Sequence, residues 1–178
     1  MLTFDEIKRI GEWKPFRDVW DFGKELSTQD VGVVESHYKK IIDSFLHNSK
    51  FDCIQNQDGG MSNYISFLCY HHQSHGLHID NVIVFISLFA PIATYGQGSM
   101  HILEKSQGWT DPSVSELGII RNDSLKEIEK EVQKVLLTNG IEILEGDSLN
   151  LELSSGLMIK ENLNPGDKMF NYLFQWID

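Results

Sequence analysis

The sequence predicts one α+β domain spanning residues 1–178, with a mostly antiparallel central sheet packed by two or three helices. Three observations carry that expectation. Apolar residues recur at helical spacing around residues 30–45 and again around 123–139. Between them lies a β-branched run, Val82-Ile83-Val84-Phe85-Ile86, of the kind found in a strand covered on both faces. No repeat, linker or low-complexity tract divides the 178 residues, a length at which a single core buries about 70% of the unfolded surface.

The elements follow in order. Thr3 and Glu6 form a capping-box pattern, with Phe4, Ile7 and Ile10 on one helical face. Gly11 and Pro15 interrupt it, and an aromatic segment with Trp13, Phe16, Trp20 and Phe22 follows. Asp30 caps the next helix, whose stripe is Val31, Val34, Tyr38, Ile41, Ile42 and Phe45, with Lys39, Lys40 and Asp43 turned away. Residues 51–57 and 61–71 read as strands joined at the hairpin signal Asp58-Gly59-Gly60. A histidine-rich turn containing Gly76 leads into a central strand over 79–93. Gly96 and Gly98 are expected to break that strand, and residues 99–105 to pair back. Asn122 or Asp123 starts a second clear helix with Leu125, Ile128, Val132, Val135 and Leu136 on one face, and Asn139-Gly140 stops it. Residues 141–144 form a short strand. Asn164-Pro165-Gly166-Asp167 is a turn, and residues 169–177 an apolar final strand.

Charge narrows the function classes. The net charge is −11, and residues 111–153 alone carry 10 acids against 4 bases. Nucleic-acid binding needs the opposite sign to neutralise phosphate, so the sequence argues against DNA or RNA as a partner. An acidic field speeds encounter with a basic protein, and it also keeps a chain soluble. Within the acidic stretch Glu142, Glu145, Asp147 and Glu152 are the least compensated and form the predicted partner-binding surface. Lys126, Lys130 and Lys134, with Glu127 and Glu131 beside them, read instead as a solvated helix face with local pairs. The N-terminus carries acids where a signal peptide needs bases. The longest apolar stretch, 82–93, holds Ser87 and Pro91 and falls short of the about 20 residues of a membrane span. No membrane association and a cytoplasmic location are expected. Cys53 and Cys69 are expected as reduced core residues rather than a staple.

Four of the seven histidines, His71, His72, His75 and His78, fall within eight residues. The steps from His71 to His75 and from His75 to His78 resemble metal-ligand spacing on a helix. The surrounding pattern, however, is strand–turn–strand, where neighbours such as His71 and His72 point to opposite faces. No His-Glu-x-x-His motif accompanies them. A turn of solvated histidines, without metal or cofactor, is therefore the expectation. A metal-binding domain or metal-dependent enzyme using His71, His75 and His78, with Asp80 as a further ligand, is the alternative. Cys69 and His71, two apart, would share a strand face, the minimum for a thiolate–imidazole pair. No orienting third residue can be named, so Cys69 reads as a small buried hydrophobe. Tyr95-Gly96-Gln97-Gly98-Ser99 lacks the Lys-Ser/Thr ending of a phosphate-binding loop and the third glycine of a dinucleotide fold. Trp13, Trp20 and Trp109 are of the type that anchors interfaces. In a domain of this size each is expected in the core, with Trp176 packed on a terminal strand. No catalytic residue is predicted.

The strand over 82–93 ending in glycines, the capped helix over 123–139 and the terminal Phe170-Asn171-Tyr172-Leu173-Phe174-Gln175-Trp176 give the chain a layout that resembles the small immunity proteins of bacterial polymorphic-toxin and contact-dependent systems. The resemblance implies a single-domain, acidic, cytoplasmic α+β protein that binds and blocks a cognate toxin, often a basic nuclease. It rests on layout and not on a motif, so no site residue is carried over from it. The sequence thus points to a non-enzymatic protein-binding inhibitor whose partner is a basic toxin domain. A regulatory scaffold with no toxin partner is a further reading.

Overall fold

The computed structural model describes residues 2–12, 14–16, 38–56, 61–72, 74, 76–103, 106–153, 168–174 and 176–177. Trp13, Trp20, the Asp30 cap with Val31 and Val34, the turns at 58–60 and 164–167, and His75 lie outside the described residues.

Helix α1 (Phe4–Gly11) opens with the capping box that the sequence specifies: the Thr3 amide donates to Glu6 Oε2 at 2.7 Å, and the Glu6 amide to Thr3 Oγ1 at 3.3 Å. Ile7 and Ile10 are buried, but Phe4 is turned out. Helix α2 (Lys39–Leu46) buries Ile41 and Phe45, with Tyr38 buried at its start. The strands are β1 (Asp52–Asn56), β2 (Met61–Ser62), β3 (Tyr64–Tyr70), β4 (His78–Ser87), β5 (Ile92–Leu103) and β6 (Ser106–Thr110). Two 3₁₀ turns, Val114–Glu116 and Asp123–Leu125, lead to α3 (Lys126–Thr138). Strand β7 (Glu142–Ile143), the short helices α4 (Gly146–Leu149) and α5 (Met169–Leu173), and β8 (Trp176–Ile177) complete the described elements.

These elements make a mixed single domain around a six-stranded, mostly antiparallel sheet. The strand order is β1-β3-β4-β5-β6, while β7 pairs in parallel with the start of β5. β2 and β8 form a separate two-stranded ribbon. Alternation sorts the side chains. One face carries the row Phe67, Val84 and Tyr95 and is covered by α2 and α3. There Phe45 stacks on Phe67 at 4.6 Å between centroids, and the Tyr95 hydroxyl donates to Glu129 at 3.1 Å. The other face carries Tyr64, Phe85 and Gly96 and is covered by α5 and by the segment holding Pro112 and Leu117, with α1 packed on α5. Val82 to Ile86 are accordingly buried without a break. Among the described residues no helix is long and apolar enough to cross a membrane.

Two expectations need correction. The apolar run over 79–93 is not one strand, because β4 stops at Ser87 and the chain turns through Leu88-Phe89-Ala90-Pro91. The turn is tied down by the Phe16 amide on the Phe89 carbonyl (2.9 Å) and the Tyr38 hydroxyl on the Ala90 carbonyl (3.4 Å). Gly96 and Gly98 then lie inside β5 and do not break it. A Cβ on Gly96 would meet Pro112 Cγ at 2.5 Å, and one on Gly98 would meet the Thr110 carbonyl oxygen at 2.8 Å and Asn81 Oδ1 at 3.0 Å. The glycines admit close neighbours; they do not bend the strand.

The final segment is the second correction. Residues 169–173 are helical, and only Trp176–Ile177 form a strand. Phe170 and Phe174, one helical turn apart, lie 5.3 Å from each other and 5.8 and 6.3 Å from Phe85, so packing overrides the strand preference of an aromatic-rich run.

Asn81 sits opposite Gly98 on this face, fully buried, with neither amide atom in a hydrogen bond. The cysteines are reduced and directly opposite in the β1–β3 ladder, their sulfurs 3.7 Å apart. The Gly96 contact offers a direct check on the packing. Gly96→Ala must displace Pro112, an overpacking that should cost about 1–3 kcal/mol in denaturant unfolding. An unchanged midpoint would contradict the close approach.

Candidate functional site

A set of exposed and half-buried polar side chains lies at one end of the face covered by α3. Alternation along β4 sets His78 and Asp80 on that face beyond Val82, and β5 contributes Gln97, Ser99 and His101. The segment entering α3 is stitched across them. The amides of Arg121 and Asn122 both donate to Gln97 Oε1 at 2.9 Å, and Asn122 Nδ2 donates to Asp80 Oδ2 at 2.9 Å. Asn122 Oδ1 also caps the following turn by accepting from the Ser124 amide at 3.0 Å. His71 Nε2 donates to the Ser124 carbonyl. Each such bond contributes only about 1 kcal/mol net, but together they fix where α3 begins.

The histidine cluster of the sequence divides among separate partners. His71 goes to Ser124. His72 places Nδ1 on Asp52 at 2.8 Å and Nε2 on the Ser49 carbonyl at 3.3 Å. His78 crosses the ladder to His101, with Nδ1 to Nδ1 at 3.3 Å, and sets Nε2 3.3 Å from Asp80 Oδ1. Hence His71 and His78, which the metal alternative joined, face different groups. Among the described residues no three His, Cys, Asp or Glu side chains converge as a metal-binding group. His101 is the residue that local spacing misses. It becomes visible only once the turn at 88–91 is placed, because counting outward along both strands from Ile86↔Ala93 brings His78 opposite His101.

The thiolate–imidazole idea also dissolves. Cys69 is fully buried with its sulfur on Cys53, and burial, reinforced by that contact, pushes its thiol well above the ordinary range. The Cys69 thiol thus faces Cys53, while His71 Nε2 is taken up by the Ser124 carbonyl.

The acidic surface is built by its buried neighbours. Ile141 and Leu149 point into the core, and a Cβ on Gly146 would stand 2.8 Å from the carbonyl oxygens of Leu117 and Val114. The chain between these anchors must therefore turn its acids outward: Glu142 on β7, Glu145 just before α4 and Asp147 in the first turn of α4 are all exposed. Gly118 takes φ +83°, a Cβ placed on it would stand 3.6 Å from Glu145, and the next residue, Ile119, is exposed, as is Leu151. Glu152 is paired with Lys168 at 3.1 Å. Burial, with the nearby charges of Glu129 and Glu145, pushes Tyr95 up to about 12 against the lowering effect of the Gln133 hydrogen bond. On α3, Lys126 and Lys134 pair with Glu129 and Glu131 at 3.0 Å each, the local pairing expected of a solvated face. Trp109, on β6, is half-buried against the core.

In comparison with known proteins, no family model, no curated protein and no solved structure matches the chain.

Both ring nitrogens of His72 face acceptors, and the Asp52 hydrogen bond, followed by that to the Ser49 carbonyl, raises it above the ordinary histidine value. The sign follows directly. This contribution is complete below about pH 6.5 and fades as pH rises through the raised value. In a histidine NMR titration His72 should titrate high in the native protein and lower in Asp52→Asn. Identical curves in the two proteins would refute the pairing.

Proposed function

We propose that the chain is a non-enzymatic binder of a basic protein, an inhibitor of the immunity-protein kind, which docks its partner on the surface made by β7 and α4. The observation that carries the proposal is the exposure of Glu142, Glu145 and Asp147 within six residues, with further exposed apolar side chains at Ile119, the residue after Gly118, and at Leu151, four residues beyond Asp147. Clustered charge gives such a surface speed of encounter, and adjacent apolar groups give it something to bury once docked. A net charge of −11 favours a cationic protein over a nucleic acid. Glu152, already neutralised in part by Lys168, belongs to the rim of the surface. On this reading the protein works in the cytoplasm by occupying its target, without turnover.

The test is kinetic. The chain is isolated with its bound partner from cells that make both, and association is followed by stopped flow at low and high salt. Reversing Glu142, Glu145 and Asp147 together to lysine should lower the on-rate by about tenfold or more at low salt, and salt should erase most of that difference. Ile119→Ala with Leu151→Ala should instead act through the off-rate. An on-rate indifferent to both salt and the triple reversal would move the interface elsewhere. Catalytic turnover abolished by Cys69→Ala or His71→Ala would end the binder reading.

A further inference from the structure

We propose that His78 and His101 form a two-histidine site for a divalent transition cation of the imidazole-binding class, with Zn²⁺ as its representative. Three features of the β4–β5 end support it.

The first is distance. Two nitrogen ligands at the usual zinc–nitrogen bond length of about 2.0–2.1 Å lie about 3.3–3.4 Å apart across a tetrahedron. The Nδ1 atoms of His78 and His101 lie 3.3 Å apart, with ring centroids at 4.6 Å. Direct register opposition in the ladder holds the two rings there without any loop having to close.

The second is the carboxylate beside the pair. Asp80 Oδ1 lies in ion-pair contact 3.3 Å from His78 Nε2, the ring atom remote from His101, while Nδ1 faces His101. A carboxylate beside the outer nitrogen is the kind of support that orients metal-bound imidazoles. Asp80 is itself held by Asn122 Nδ2 at 2.9 Å, so the supporting carboxylate is fixed from behind. Asp80 is thus a positioning residue and not a ligand.

The third is access. Both histidines are exposed, as is neighbouring Leu77, and a chain of net charge −11 draws cations toward it. With two protein ligands, the site leaves its remaining coordination positions to water. Imidazole donors select zinc and copper over magnesium or calcium, which demand oxygen.

Protein made without an affinity tag is titrated with zinc chloride by calorimetry, and histidine ring signals are followed by NMR in parallel. One saturable site is expected, shifting the His78 and His101 resonances and weakening as pH falls, because protons compete for the same nitrogens. His78→Ala and His101→Gln should each weaken zinc at least tenfold. Asp80→Asn should weaken it by about tenfold through loss of ligand support. His71→Ala and His72→Ala should leave it unchanged. All five positions are exposed or half-buried, and circular dichroism checks that each variant remains folded. The proposal is overturned if zinc shows no saturable site, if it shifts other histidines instead, or if affinity survives His78→Ala and His101→Gln. In that case the 3.3 Å approach is only an imidazole–imidazole hydrogen bond.

Discussion

From Val82 to Ile86 β4 has no hydrophilic side, and that single stretch obliges the rest of the chain to supply two covering layers. α2 and α3 answer on one face through Phe45, Ile128 and Val132; α5 and the Pro112–Leu117 stretch answer on the other. Magnitudes say which interactions matter. A fully buried Phe or Ile contributes about 1.5–3 kcal/mol, whereas surface ion pairs such as Lys39–Asp43 or Lys134–Glu131 contribute about 0–1 kcal/mol each. Removing every exposed ion pair would cost less than unroofing one face of β4.

The sequence discloses elements whose signal is local. The Thr3–Glu6 box, the stripe on α3 and the Asn139-Gly140 stop are all found in place, Gly140 taking φ +74°. What escapes a linear reading depends on residues distant in the chain. Gly96 looks like a strand breaker until Pro112 is seen against it, and the terminal aromatics look like a strand until Phe85 is seen between them. The same division runs through the sites. The exposure of Glu142, Glu145 and Asp147 follows from their own neighbourhood, since flanking Ile141 and Leu149 must be buried. The meeting of His78 with His101 requires the ladder register, which no four-residue spacing encodes.

The two surfaces are joined by one short connection. Residues 117–124 start with Leu117 in the core and Gly118 against Glu145, and end with Asn122 on Asp80 and Ser124 accepting from His71. Along the way Arg121 bonds Glu116, holding that carboxyl below the usual range and removing one cation from competition for the acids of α4. The acidic surface thus keeps its field while the connection beside it is internally balanced.

Asn81 shows what this architecture tolerates. A buried amide without a partner costs about 1–3 kcal/mol, and here it lies at the centre of the strand that everything else covers. Folded domains hold only about 5–15 kcal/mol in total, so the penalty is a sizeable share. The two covering layers must therefore offset that penalty before any net stability is left. A cavity opened on either face of β4 is then felt against a stability that the amide has already lowered.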